Sequence, residues 1–238
     1  MKPDYAPAQT VIATGTARVP GTCGELVQGQ FASGQDFLVT LPINLYAEVQ
    51  VEITHEPRIV SVTPTHKVKT RAAVQKTLAY CSLDQTGAMM RVTSQLPEGK
   101  GMASSSADIV AACRATAQAL NTSLSAAEIS RIAHSIEPTD GVMYASCVCY
   151  DHRQCCLIEQ LGPLPPLRIL VIDLGGVIDT LTFNTQPKRY TADELDAIAH
   201  AYALVKAGIH AGDPFLIGRA ATLSARINQR LLPKPQLD

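Results

Sequence analysis

Between Leu96 and Cys113 the chain reads LPEGKGMASSSADIVAAC: two glycines, a lysine and three consecutive serines lead straight into an alanine-rich helix. A helix needs only one cap, so the serine run exceeds what local structure asks for. Backbone N–H groups at a helix start lack intrahelical partners and sit at the positive end of the macrodipole, so a small-residue loop there can cradle an anion. Phosphate is the candidate.

The flanking pattern is one of strands and amphipathic helices. TVIATGTARV (10–19), FLVTL (37–41) and LYAEVQVEIT (45–54) read as strands, with apolar and polar residues alternating from Leu45 to Ile53. A mostly antiparallel sheet is expected. A helix at about 66–81 has Val68, Ala72, Val74, Leu78 and Ala79 on its apolar side, and the strand GAMMRVTSQL (87–96) enters the serine loop. The helix after the loop buries Ile109, Cys113, Ala117 and Leu120 and ends near Asn121. The capping box Ser125-x-x-Glu128 opens another, carrying Ile129, Ile132, Ala133 and Ile136 as far as Pro138.

Strands at 142–150 and 155–161 lead to GPLPP (162–166), the most linker-like segment, which divides the chain into domains at 1–161 and 162–238. RILVIDL (168–174) and VIDTLTF (177–183) read as strands. Thr191-x-x-Glu194 opens a helix, and Asp213 caps a last one with Pro214 at its first position.

Composition narrows the function. Twenty basic residues against 21 acidic ones give a net charge of -1, which offers no electrostatic case for nucleic acid or an anionic membrane and favours a small-molecule substrate. The start, MKPDYAPAQT, has no apolar h-region, and a cytoplasmic protein is expected. Seven cysteines are an odd number in a chain of 238 residues, against a disulfide framework. Cys147, Cys149, Cys155 and Cys156 lack the C-x₂-C spacing of zinc sites and read as core residues, Cys147 and Cys149 sharing one strand face with Met143 and Ala145.

The loop fits neither common nucleotide fingerprint. Walker A requires Lys-Ser/Thr after its second glycine and another glycine upstream, whereas Gly99-Lys100 is followed by Gly101. The dinucleotide pattern begins at Gly99 and Gly101 but has Ser104 in third place. What remains, P-x-x-x-G-x-x-S-S-S-A, resembles the second motif of the GHMP kinases, and VPGTCGELVQG (19–29) resembles their first. With EPTDGVMY (137–144) as a third segment, the set looks most like the L-threonine kinases of cobalamin biosynthesis and covers about residues 10–235.

That resemblance implies an α+β GHMP kinase fold: an N-terminal twisted mixed sheet with helices on one face, resembling ribosomal-protein domain 2, and a ferredoxin-like C-terminal domain, with the site between them. It implies that Pro97, Gly99, Lys100, Gly101, Met102, Ala103, Ser104, Ser105 and Ser106 wrap the phosphates of ATP. Gly21, Thr22, Cys23, Gly24 and Glu25 would bind the acceptor, Ser105 and Glu137 would ligate Mg²⁺, and Asp140 would be the catalytic aspartate. The implied reaction is phosphorylation of the L-threonine hydroxyl.

Two departures keep alternatives open. Thr22 stands where many relatives carry Lys or Arg after the P-G of the first motif, leaving Arg18 or Lys100 as the cationic partner of Asp140, or none. No glycine follows Gly218, so the family's third, glycine-rich motif is not found and the C-terminal domain reads as incomplete. Leu223, Ile227 and Leu231 are then expected to form an exposed patch favouring a homodimer. Another small-alcohol GHMP kinase, for homoserine, mevalonate or a sugar, is one alternative; a nucleotide-binding protein without turnover is the other.

Overall fold

In the computed structural model, residues 10–58, 60–173, 175–176, 190–231 and 233 are described. A hairpin of two long strands forms the spine: β1 (Val11–Gln30) runs antiparallel to β2 (Asp36–Thr54) along its length. The far edge of β2 pairs with β4 (Gly87–Ser94) through its second half and with β5 (Cys147–Asp151) near its start. β3 (Val60–Thr63) lies parallel to β4, and β6 (Cys156–Gly162) is antiparallel to β5. The sheet is therefore mixed and mostly antiparallel. The FLVTL and LYAEVQVEIT segments are one continuous strand, and four-residue β3, too short for a periodicity signal, is an addition to the sequence reading.

Each face of the sheet carries its own core, as the period of two requires. Val49, Val51, Ile53, Val148 and Tyr150 face one core, which α1 (Val68–Tyr80), α2 (Ser104–Ala119) and α3 (Ala126–His134) help to build. Phe37, Val39, Cys147 and Cys149 face the other, closed by α4 (Ala192–Ala211) and α5 (Pro214–Ile227) through Ile198, Val205, Ile209 and Ile217. Helices thus cover both faces rather than one. α2 lies directly on β1: a Cβ on Gly15 would stand 2.1 Å from the Ala115 carbonyl oxygen. The alanines of α2 allow that approach.

The sequence reading needs correcting in the C-terminal third. Residues 167–173 form no strand, and Leu170 is 88% exposed; an apolar run pairs only where a neighbouring strand offers its ladder, and none is present among the described residues. VIDTLTF lies outside those residues. The expected apolar patch on the last helix is also overturned, because Leu223 and Ile227 pack against the second core. The strand expected at 142–150 begins at Cys147, since turns closed by Asp140 and Gly141 carbonyls occupy 140–144. No helix among the described residues is long and apolar enough to cross a membrane.

Candidate active site

A cleft of about 390 Å³ opens at the starts of α1 and α2. Glu25 and Gln28 of β1 form one wall, and His66 to Thr70 another. Glu98, Gly99 and Gly101 to Ser106 line it too, beside Glu137, Pro138, Asp140 and His152. All these residues lie between positions 25 and 152, so the described walls come from the part assigned to the N-terminal domain and not from a gap between two domains.

The serine run does not cap its helix. Ala103 occupies the cap position in the left-handed conformation, φ 53°, with no side-chain hydrogen bond to the first turn. Gly99 and Gly101 share that sign, at φ 68° and 69°. Holding Ala103 there costs about 1–2 kcal/mol, and the first-turn amides keep their donor capacity. The bulged middle of β1 clamps the loop: the Thr22 amide donates to the Met102 carbonyl (3.3 Å), and the Gly24 amide donates to the Gly101 carbonyl (3.0 Å). Gly21 makes the clamp possible, since a Cβ there would lie 2.5 Å from the Met102 oxygen.

Ser105 and Ser106 bond the neighbouring Glu137–Asp140 segment instead. Ser105 donates its hydroxyl to one oxygen of Glu137, whose other oxygen is ion-paired with Lys69. Ser106 accepts the Asp140 amide (3.2 Å) and donates to Asp140 Oδ2 (3.3 Å). Burial pushes the Asp140 carboxyl up to about 6; the Ser106 bond opposes that shift and the nearby Glu137 charge adds to it. Gly141 lets this segment lie against the sheet, because a Cβ would meet the Val148 side chain at 2.7 Å.

Lys67 completes the wall, bonded at 2.6 Å to both Asp108 and Glu98. Burial lowers its pKa, but the hydrogen bonds and charges of those carboxylates outweigh burial and leave it raised. Asp108 is pushed up by burial, partly offset by Lys67.

Several expected site residues sit apart. Lys100 turns away and bonds Asp173 Oδ1 (2.8 Å) and the Gly176 carbonyl (2.9 Å). Arg18 stacks on Tyr46 with its guanidinium carbon 3.9 Å from the ring centroid. Pro97 is exposed, and Cys23 lines a separate cavity with Leu41 and Ile169. Of the first motif, Glu25 reaches the main cleft, while Gly21, Thr22 and Gly24 hold the loop. Sequence reasoning missed Lys67, Lys69, Asp108 and His152. The signal for the lysines was the pattern HKVK at a helix start.

The arrangement gathers two ammonium groups, unpaired helix-start amides and five acidic side chains, Glu25, Glu98, Asp108, Glu137 and Asp140, in one cleft. It can hold a polyanion, bind an oxygen-seeking divalent cation and accept a proton.

Comparison with known proteins agrees with that chemistry. Residues 68–150 match the family model described as the GHMP kinases N terminal domain. The L-threonine kinase of Salmonella typhimurium strain LT2 is 34% identical over 223 residues, spanning 92% of this chain and 72% of that protein. The L-threonine kinase of Citrobacter freundii is 31% identical over 224 residues, covering 93% and 76%. Among solved structures, homoserine kinase from Cytophaga hutchinsonii superposes with a TM-score of 0.66 at 17% identity, over 96% of this chain and 78% of that one, a likeness of fold. With two relatives above 30% identity along most of their length and the family model matching the helices and serine loop between residues 68 and 150, the chain belongs to the GHMP kinases.

Proposed function

We propose that the protein transfers the γ-phosphoryl group of ATP to the side-chain hydroxyl of L-threonine, giving O-phospho-L-threonine. The observation that carries this reading is the uncapped start of α2 lining one cleft with Asp140, whose carboxylate accepts from Ser106 of that first turn. The α2 amides and Lys67 would bind the phosphates, whose charge the helix start attracts. The acceptor would lie towards Glu25 and Asp140. With a pKa of about 6, Asp140 is mostly ionised above neutral pH yet basic enough to take the hydroxyl proton as the oxygen attacks. Ser106 bonds both its backbone and its side chain and so fixes where that base points.

The residues present fit Mg²⁺. Glu137 is a buried carboxylate lining the cleft beside the Ser105 hydroxyl, a hard oxygen-donor pair of the type Mg²⁺ takes alongside phosphate oxygens. When bound, the metal would supply neutralisation of phosphate charge. Threonine as acceptor is supported by the names of the two relatives, and a place in cobalamin biosynthesis by the resemblance of the three motifs.

ADP release with L-threonine, L-serine, L-homoserine, mevalonate and galactose tests the proposal. Turnover highest with L-threonine is expected. Preference for another alcohol would move the protein to a different GHMP activity, and nucleotide binding without any turnover would make it a binding protein.

A further inference from the structure

We infer that Lys69 is a resident counter-ion that holds Glu137 in the empty cleft, yields it to the divalent cation, and then pairs with the nucleotide's phosphates. This rests on the reading of the cleft as a metal–nucleotide site and assigns a role to a residue that reading leaves out.

The two partners differ in freedom. Glu137 is 7% exposed at its side chain and is bonded at both oxygens, by Ser105 and by Lys69. A carboxylate so buried is costly without a counter-charge, so an empty cleft needs a cation there. Lys69 is 41% exposed and belongs to the first turn of α1, on a flexible four-carbon stem. A cation entering at Glu137 repels the ammonium, and the exposed partner moves. Its destination is set by the cleft, which Lys69 and the first turn of α2 line together. Lys67, two residues earlier, provides the contrast: it is 12% exposed and held by Asp108 and Glu98, so it stays. The site thereby keeps a positive partner for Glu137 when empty and gains a cation for the phosphates when full.

The exchange predicts effects of opposite sign in one variant. Mn²⁺ alone, followed by electron paramagnetic resonance, and ADP at saturating Mn²⁺, followed by calorimetry, serve as probes on wild type, Lys69→Met, Lys69→Arg and Lys69→Met/Glu137→Gln. Lys69→Met should bind nucleotide-free Mn²⁺ at least tenfold more tightly than wild type and ADP in the presence of Mn²⁺ at least fivefold more weakly. Lys69→Arg should restore both, and the double variant should lose the tightened Mn²⁺ site. Unchanged Mn²⁺ affinity in Lys69→Met, or both affinities falling together as for a structural lysine, overturns the exchange. Tightened Mn²⁺ with unchanged ADP overturns the hand-over to phosphate. If wild type fails to bind ADP with or without metal, the nucleotide reading of the cleft fails, and this inference with it.

Discussion

Helix starts divide this molecule into two kinds. α3, α4 and α5 close their N-termini with their own side chains: Ser125 and Thr191 in complete capping boxes, Asp213 through bonds to the Phe215 and Leu216 amides. α1 and α2 do not, having Lys67 and Ala103 at the cap positions without side-chain bonds to the helix. The two uncapped starts are the two that line the cleft. A missing cap costs about 1 kcal/mol, and the left-handed Ala103 adds about 1–2 kcal/mol. Capping residues are not scarce at α2, where three serines follow; two of them, Ser105 and Ser106, are turned to Glu137 and Asp140 instead. The molecule forgoes stability where donors are needed for a ligand, as functional sites commonly do.

The largest effect should come from the residue these serines orient. Asp140→Asn removes the base while preserving shape, and kcat for threonine phosphorylation should fall by about 10²–10⁴-fold with ATP affinity nearly unchanged. In wild type, kcat should decline as pH drops through about 6, where the Asp140 carboxylate takes up its proton. Stability runs the other way. A carboxyl raised above its ordinary value binds its proton more tightly in the folded state, so the stability it contributes is present below the unfolded pKa and lost as pH rises through the folded one. Asp140→Asn should therefore gain Tm relative to wild type on going from pH 4 to pH 8. Steady-state kinetics and thermal scans at both pH values check this; a variant with near-normal kcat would leave Ser106 orienting no base.

A side chain intruding on the open amides should come next. Gly101 has φ 69°, and a Cβ there would meet nothing within 4 Å, so a substituent points into empty space beside the loop. Gly101→Val puts a branched residue in a backbone region it avoids and fills the volume a phosphate needs. ATP affinity should fall by at least about tenfold, with a stability loss of about 1–2 kcal/mol from the backbone. Calorimetric titration of ATP, alongside thermal unfolding to establish folding, separates the two; unchanged affinity in a folded variant would show that the α2 start is not where phosphate binds.

Much of this was legible in the sequence, for reasons that also mark the limit. The alternation from Leu45 to Ile53 becomes a strand with Ala47, Val49, Val51 and Ile53 buried, because period two and burial are the same fact. Capping boxes are local chemistry, and all three side-chain caps appear where the pattern places them. The serine loop was legible as an open helix start because its composition exceeds what a cap requires. The lysines were not, since HKVK becomes part of a site only when α1 docks beside α2, a contact between residues about 40 apart such as Lys67 and Asp108. RILVIDL shows the converse failure: its apolar run matches a strand, but a strand also needs a partner edge, which no local pattern supplies.

The smallest effects test the other half of the comparison. Ser125→Ala removes the hydroxyl that accepts the Glu128 amide, and Asp213→Ala removes the carboxylate that accepts two amides of α5. Each should cost about 1 kcal/mol, within the 0.5–2 kcal/mol typical of cap removal, because water replaces the lost partner at an exposed helix end. Neither helix start lines the cleft, so ATP affinity and kcat should stay within about twofold of wild type. Denaturant unfolding reads the first quantity and titration the second. Should either alanine weaken ATP binding as strongly as Gly101→Val does, the separation between closed helix ends that hold the fold and open ones that hold the ligand would collapse, and the missing cap on α2 would be an incidental feature of its packing on β1.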